Sequence, residues 1–336
     1  MSRTRLLNSD AAKHLITLEE CNEIVERNFI ELGNGNLKNP SKVTLHLGDD
    51  GEWPKYEGFM NAMPAYIGWL DIAGMKWVGG FDGLRQAAGF PYITAMILLV
   101  DPQLGTFDTI LDGTEISNLR TGAQVPVIMK NLGVKPGEKI KIGLFGKGVQ
   151  AQYTLRAIDA WYDIESVKLW NHREFGVDDF IEEMEPRLNT SIEFYENSED
   201  VCKNVDIILT TTKSMEPLVE KEWVDNGTII IPMGSGPELS NELILAADYI
   251  AVDHLEQAKS RAALAQAFTD GVISEEHVDA ELAELSTSQK ELPNLTDKIA
   301  IAVPVGLGAH DIAIAGIVAI RAEEENLGQF FSFHEA

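Results

Sequence analysis

The segment that most constrains this chain is Gly146-Lys147-Gly148-Val149-Gln150-Ala151, set between the apolar run Lys141–Phe145 and the helical run Tyr153–Tyr162. A G-x-G-x-x-[GA] string at a strand-to-helix turn is the arrangement that cradles a dinucleotide pyrophosphate. Gly146 permits the tight turn, Gly148 lets the backbone approach the phosphates, and Ala151 allows the helix to pack closely on the strand. The helix N-terminus behind the loop adds N–H donors and positive potential, so Lys147, Val149 and Gln150 join the glycines as expected cofactor contacts. The same glycines also suit a plain turn, and it is their placement between strand and helix that points to a dinucleotide.

Strand-like runs then recur at Ser166–Trp170, Val205–Thr210, Thr228–Ile231, Tyr249–Val252 and Ile299–Val303, with helical stretches between them. This alternation predicts an α/β fold, a doubly wound parallel sheet of Rossmann type, over residues 126–305. Residues 1–125 read differently. Thr17 and Glu20 make a capping-box pattern ahead of Ile24, Val25 and Phe29 at helical spacing, and Val43–Leu47, Gly74–Val78 and Tyr92–Val100 are apolar runs of strand length. They predict an α+β domain. The apolar helical stretch after Val303 comes too late for another crossover, so residues 306–336 are expected to pack back on that first domain. With 336 residues the chain has ample length for two cores.

The formal net charge of −26, from 53 acidic against 27 basic residues, repels phosphate polyanions and anionic lipid. Nucleic-acid and membrane partners are therefore not expected, and the acidity is read as a solubility feature before a means of steering a cationic substrate. The two cysteines, Cys21 and Cys202, are far apart and read as buried small hydrophobes. The seven histidines (His14, His46, His172, His254, His277, His310 and His334) show no metal-ligand spacing, and no metal site is expected. His310-Asp311 reads as a polar pair at a helix start. No apolar h-region follows Arg3 and Arg5 and no run reaches the ~20 apolar residues of a membrane span, so a cytoplasmic protein is expected.

The second strand of the expected sheet ends in Leu169-Trp170-Asn171-His172-Arg173, where an NAD-binding chain usually carries an acidic residue for the ribose hydroxyls. No carboxylate stands there. Asn171, His172 and Arg173 instead offer donors and positive charge to a ribose 2′-phosphate, which favours NADP(H) over NAD(H). Arg173 as a solvated loop cation is the competing reading.

Several segments together resemble the ornithine cyclodeaminase/mu-crystallin family in order and spacing, over roughly residues 60 to 315: MPAYIGWLDIAGMKWVGGF, ITAMILLVDPQLGTFDTILDGTEISNLRTGA, GKGVQAQ, DIILTTTKSMEPLV and VGLGAHDIA. The resemblance implies a homodimer whose first domain binds substrate and forms the dimer. It implies an NADP(H)-dependent oxidoreductase, moving a hydride between the nicotinamide and the α-carbon of an amino acid or its cyclic imine. Lys76 matches the family's catalytic lysine. On its own residues, Lys76 among Ile72, Ala73, Met75, Trp77 and Val78 reads either as a desolvated proton carrier or as a snorkelling strand lysine. Arg120 matches the arginine that holds the substrate carboxylate, and Lys42 matches a second carboxylate-binding position, a surface lysine beside a turn being equally consistent. Thr212, Lys213, Met233, Gly234, Ser235, Gly306 and Leu307 fall where the family touches the cofactor ribose and nicotinamide.

The departures matter as much. Asn61, counted with the substrate-binding residues, stands where the cyclodeaminases carry a glutamate near the substrate amine, and Ser235 stands where they carry an acid–base aspartate. Arg173 lies one residue later than the family's arginine, and Val303-Pro304 replaces a common Lys-Ser. These differences favour a dehydrogenase or ketimine reductase over an ornithine cyclodeaminase. A catalytically silent nucleotide- or ligand-binding protein is the remaining alternative.

Overall fold

The computed structural model describes residues 3–48, 56, 58–81 and 83–333, so His334 lies outside the described residues. The chain divides into two compact units, Met1–Arg120 with Leu307–Ala336, and Thr121–Gly306.

The first unit opens with β1 (Thr4–Leu7), β2 (Leu37–Lys38), β3 (Val43–His46), β4 (Gly58–Ile67), β5 (Ile72–Phe81), β6 (Ile93–Val100) and β7 (Phe107–Asp112). The second contributes β8 (Lys139–Phe145), β9 (Asp163–Trp170), β10 (Ser191–Phe194), β11 (Ile207–Thr210), β12 (Ile229–Pro232), β13 (Tyr249–Val252), β14 (Ala280–Glu281) and β15 (Ala300–Val303). The last strand, β16 (Gln329–Phe331), returns to the first sheet.

The first sheet runs β16-β1-β7-β6-β5-β4-β2, with β3 also paired to β4. Its central pairs are antiparallel, and only β1 with β7 runs parallel among the described strands. The first strand is one that the periodicity of the sequence does not show. β1 is four residues long and carries a charge, yet Arg5 is buried, donates to the Leu327 carbonyl and lies 4.6 Å from the Phe330 ring centre. Its stability comes from β7 and β16, more than a hundred residues away in the chain, which no local pattern records.

The helix Gly308–Glu324 packs across β4, β5 and β6 within this unit, as its apolar sequence leads one to expect. Small residues bring it close to the sheet: a Cβ on Gly308 would lie 2.9 Å from the Met63 carbonyl oxygen, and one on Gly316 would lie 2.9 Å from Ile72. The helix Leu18–Gly33 packs on it in turn. Its capping box is formed, Thr17 Oγ1 accepting from Glu20 N at 3.2 Å and Glu20 Oε2 accepting from Thr17 N at 2.9 Å. Glu20 also pairs with Arg321 of the last helix through both guanidinium nitrogens, a contact that holds its carboxyl down at about 2.

The second sheet is wholly parallel, in the order β10-β9-β8-β11-β12-β15-β13-β14. The chain winds outward from β8 to β10 and then reverses at β11, which lies on the other side of β8; β15 inserts between β12 and β13. This is a Rossmann-type fold with its switch point between β8 and β11. Four of these strands are buried at every position, as a parallel sheet covered on both faces requires. No helix among the described residues is long and apolar enough to cross a membrane.

Candidate active site

In β5, residues 74, 76 and 78 point to one face, and the register sets Lys76 opposite Met63 of β4 and Ile97 of β6. That is the face covered by the helix Gly308–Glu324, so Lys76 is fully buried. Its ammonium donates to Asp311 Oδ1 at 2.8 Å and to Ser117 Oγ at 3.2 Å. Arg120 Nε donates to the same Asp311 oxygen at 3.1 Å. One carboxylate thus collects a lysine from the sheet and an arginine from the helix Thr114–Asn131.

The electrostatics follow from burial. Desolvation by the surrounding apolar residues pushes the Lys76 ammonium down to about 7, with the Arg120 charge acting in the same direction and Asp311 resisting it. Lys42 also lowers it, which brings this residue into the field of the site. For Asp311, burial alone would raise the carboxyl, but Arg120 and Lys76 overcome that and hold it below its ordinary value. Its second oxygen, Oδ2, is buried with no hydrogen-bond partner among the described residues.

Sequence reasoning missed the role of Asp311: His310-Asp311 does stand at the start of the last helix, but it is more than a polar helix start. Both residues are fully buried and they serve different neighbours. Trp69 Nε1 donates to Asn28 Oδ1 at 3.1 Å, which turns the Asn28 amide nitrogen toward His310 Nδ1, 3.3 Å away. Nδ1 therefore accepts and the ring proton sits on Nε2. Burial, aided by Arg120, pushes His310 down to about 3, so it stays neutral and is no proton carrier at ordinary pH. A signal for Asp311 existed: it is the sole charged residue between Leu307 and Ile320, and a buried carboxylate needs a cation.

Asn61 shares the buried face with Lys76, opposite Val78, and accepts a hydrogen bond from Thr44 Oγ1 at 2.6 Å. The neutral pair leaves no carboxylate at this position. Among the described residues no group of three or more His, Cys, Asp or Glu side chains could hold a metal ion.

In the second unit, Gly146 directly follows β8 with φ +96°, a conformation that favours glycine, and a Cβ there would lie 2.8 Å from Thr211 Oγ1. Gly148 caps the helix Val149–Asp159 with open space where a side chain would stand. The loop thus fits a phosphate group approaching the backbone, with Val149 exposed beside it and Ala151 fully buried behind it. Lys147 reaches across to the loop after β9: a Cβ on Gly176 would lie 3.0 Å from its Nζ. In that loop His172 and Arg173 are exposed, while Asn171 Nδ2 donates to the Arg173 carbonyl at 2.7 Å. Around the ends of β11 and β12, Met233 N donates to Thr210 O at 2.7 Å, Gly234 is buried, and Lys213 and Ser235 are exposed. Gly306 N donates to Asp253 Oδ2 at 2.6 Å, a second carboxylate the sequence reading passed over, and the buried Leu307 caps the last helix.

Together these define a Rossmann-fold protein whose other unit carries a buried lysine–carboxylate–arginine site. The chain belongs to the ornithine cyclodeaminase/mu-crystallin family, whose description matches residues 3–326. Members act on amino acids or imines as NAD(P)-dependent reductases and dehydrogenases, or as cyclodeaminases. An alanine dehydrogenase of Archaeoglobus fulgidus is 32% identical over 335 residues, covering 98% of each chain. Among solved structures, Δ1-pyrroline-2-carboxylate reductase of Thermococcus litoralis, in complex with NADH and L-proline, is 30% identical, covers 97% of this chain and 99% of its own, and superposes with a TM-score of 0.89. An archaeal alanine dehydrogenase dimer with bound NAD is 32% identical, covers 99% and 100%, and has a TM-score of 0.89.

Asp311→Asn leaves the buried Lys76 and the partly buried Arg120 without their counter-charge, and the expected loss is up to about 3–5 kcal/mol of stability, less whatever deprotonation of Lys76 and solvent at Arg120 relieve. Ser117→Ala, which removes a neutral partner, is expected to cost about 1 kcal/mol. Urea unfolding of the full chain at pH 7 measures both, and equal small losses would contradict the keystone role of Asp311.

Proposed function

We propose that this protein is an NADP(H)-dependent oxidoreductase that interconverts an amino acid and its imine at the α-carbon, with Lys76 carrying the proton. The observation that carries the reading is the fully buried Lys76 ammonium, held 2.8 Å from Asp311 with Arg120 on the same oxygen. A lysine near 7 gives and takes protons readily at neutral pH, which an ordinary surface lysine does not. The identities above 30% to an alanine dehydrogenase and the 30% identity to a proline-bound reductase support an amino acid or cyclic imine as the substrate class.

A bound nicotinamide would supply or accept the hydride at the α-carbon. The remaining work falls to the chain. Arg120, with Lys42 adding charge, binds the substrate carboxylate; three cations against one carboxylate leave the site positive when Lys76 is protonated. Asp311 Oδ2, which has no hydrogen-bond partner among the described residues, would accept an N–H from the substrate amine. Lys76 then donates its proton to the imine nitrogen as the carbon is reduced and regains one from solvent, or receives one in the oxidative direction and releases it to solvent, while the Asp311 carboxylate stabilises its charged form through their hydrogen bond. The neutral Asn61–Thr44 pair and the exposed Ser235 argue against ornithine cyclodeamination, which calls for a second carboxylate to shuttle protons.

The preference for the 2′-phosphorylated cofactor rests on the absence of an acidic residue from Asn171-His172-Arg173 at the end of β9, the exposure of His172 and Arg173, and the nearness of Lys147 to the same loop. Homodimerisation through the first sheet is part of the proposal. Its outer face carries the exposed apolar residues Val43, Trp77 and Met96, with the half-buried Ala62 opposite both Val43 and Trp77 and Met96 opposite Trp77, and a solved relative is a dimer.

Lys76→Met is expected to lower turnover about 10²–10⁴-fold while leaving folding and cofactor affinity intact. An NADPH-oxidation screen over cyclic imines and over 2-oxo acids with ammonia finds the substrate on which this is read; near-normal turnover of the folded variant would overturn the assignment. NADPH is expected to bind about ten-fold or more tightly than NADH, the worth of a charge-assisted contact to the 2′-phosphate, and Arg173→Ala should close most of that gap. Equal affinities in the unaltered protein, read by fluorescence titration, would sink the preference.

A further inference from the structure

Glu238 is fully buried in the second unit, and the chemistry above makes no use of it. Its carboxylate accepts four hydrogen bonds. Thr210 Oγ1 at 2.7 Å and Gly234 N at 3.0 Å reach Oε2, while Thr212 N at 3.0 Å and Thr212 Oγ1 at 2.5 Å reach Oε1. Thr210 is the last residue of β11, Thr212 lies two residues beyond it, and Gly234 lies two residues beyond the end of β12. One side chain therefore ties together the loops that leave the carboxyl ends of two neighbouring parallel strands.

The fit leaves little room for adjustment. A Cβ on Gly234 would lie 2.2 Å from Glu238 Oε2, and one on Gly236 would lie 2.0 Å from the Ser214 carbonyl oxygen. Ser214 N in turn donates to Thr212 Oγ1 at 3.0 Å, which carries the network further along the first loop. All four groups facing the carboxylate are donors, and only a group with acceptor capacity on both of its atoms satisfies them.

β11 and β12 belong to the second mononucleotide half of the sheet, across the switch point from the glycine-rich turn after β8. In a Rossmann sheet the adenylate half of a dinucleotide lies over the first half and the nicotinamide half over the second. We infer that Glu238 is a positioning residue: it holds the loops bearing Thr212, Met233, Gly234 and Ser235 in the arrangement that receives the nicotinamide–ribose half of the cofactor. The inference rests on the dinucleotide reading given above, though not on the choice between NADP(H) and NAD(H).

The test separates the two halves of the ligand. The full chain is titrated calorimetrically with the reduced cofactor it binds more tightly, NADPH or NADH, and with the matching adenylate fragment, 2′,5′-ADP or 5′-AMP. Glu238→Gln places an amide nitrogen against donors, and is expected to raise Kd for the whole cofactor at least about ten-fold while leaving the fragment within about two-fold. Thr210→Val removes one donor without touching the ligand, and is expected to give a smaller loss with the same selectivity; it carries the test if Glu238→Gln does not fold. Unchanged cofactor affinity, or parallel loss of cofactor and fragment, would overturn the inference and leave Glu238 a structural group. Unaltered protein that binds neither ligand would defeat the dinucleotide reading itself, and this inference with it.

Discussion

A single buried carboxylate organises the first unit. Asp311 gathers Lys76 from the centre of one sheet and Arg120 from a separate helix onto one oxygen, at 2.8 and 3.1 Å. Removing such charges from water is costly, and the arrangement persists because each ion is answered by another at hydrogen-bond distance. The result is a lysine with conflicting influences: burial and Arg120 favour its neutral form, Asp311 its charged form, and the balance sits near neutrality. Without Asp311 the same lysine would be pushed further toward its neutral form, and without burial it would keep the charge of an ordinary lysine.

The backbone makes this balance possible. Glycines at 308 and 316, with alanines at 309, 313 and 315 between them, let the last helix lie close enough to the sheet for a short aspartate side chain to reach the lysine. The second unit solves a related problem with Glu238, where four donors from two strand ends converge on one carboxylate. In both units an acidic residue fixes the relation between elements that are distant in sequence. The two carboxylates that do this are fully buried and stand apart from the surplus of acidic residues on the surface.

How much of this can be read from the chain depends on whether the signal is local. The turn at Gly146–Ala151, the capping box at Thr17 and Glu20, and the apolar strands of the parallel sheet are written in neighbouring residues, and each forms where those residues predict. Lys76 and Arg120 stand out through their family resemblance. Asp311 does not, because its role depends on a cation 235 positions away, and a polar residue near a helix start has an innocuous local explanation. Glu238 is hidden for the same reason: three of its four donors lie 26 or more residues upstream, and only the fold brings them together. β1 and β16 are short and find their stability wholly in tertiary pairing.

The central claim is that Lys76 titrates near neutral pH because it is buried against Asp311 and Arg120. The direct measurement is a pH titration of its Nζ resonance by NMR, in protein labelled with ¹⁵N-lysine, the signal being assigned by its absence from Lys76→Met. An inflection near 7 is the result expected here, and one near the ordinary lysine value of 10.5 would contradict the account.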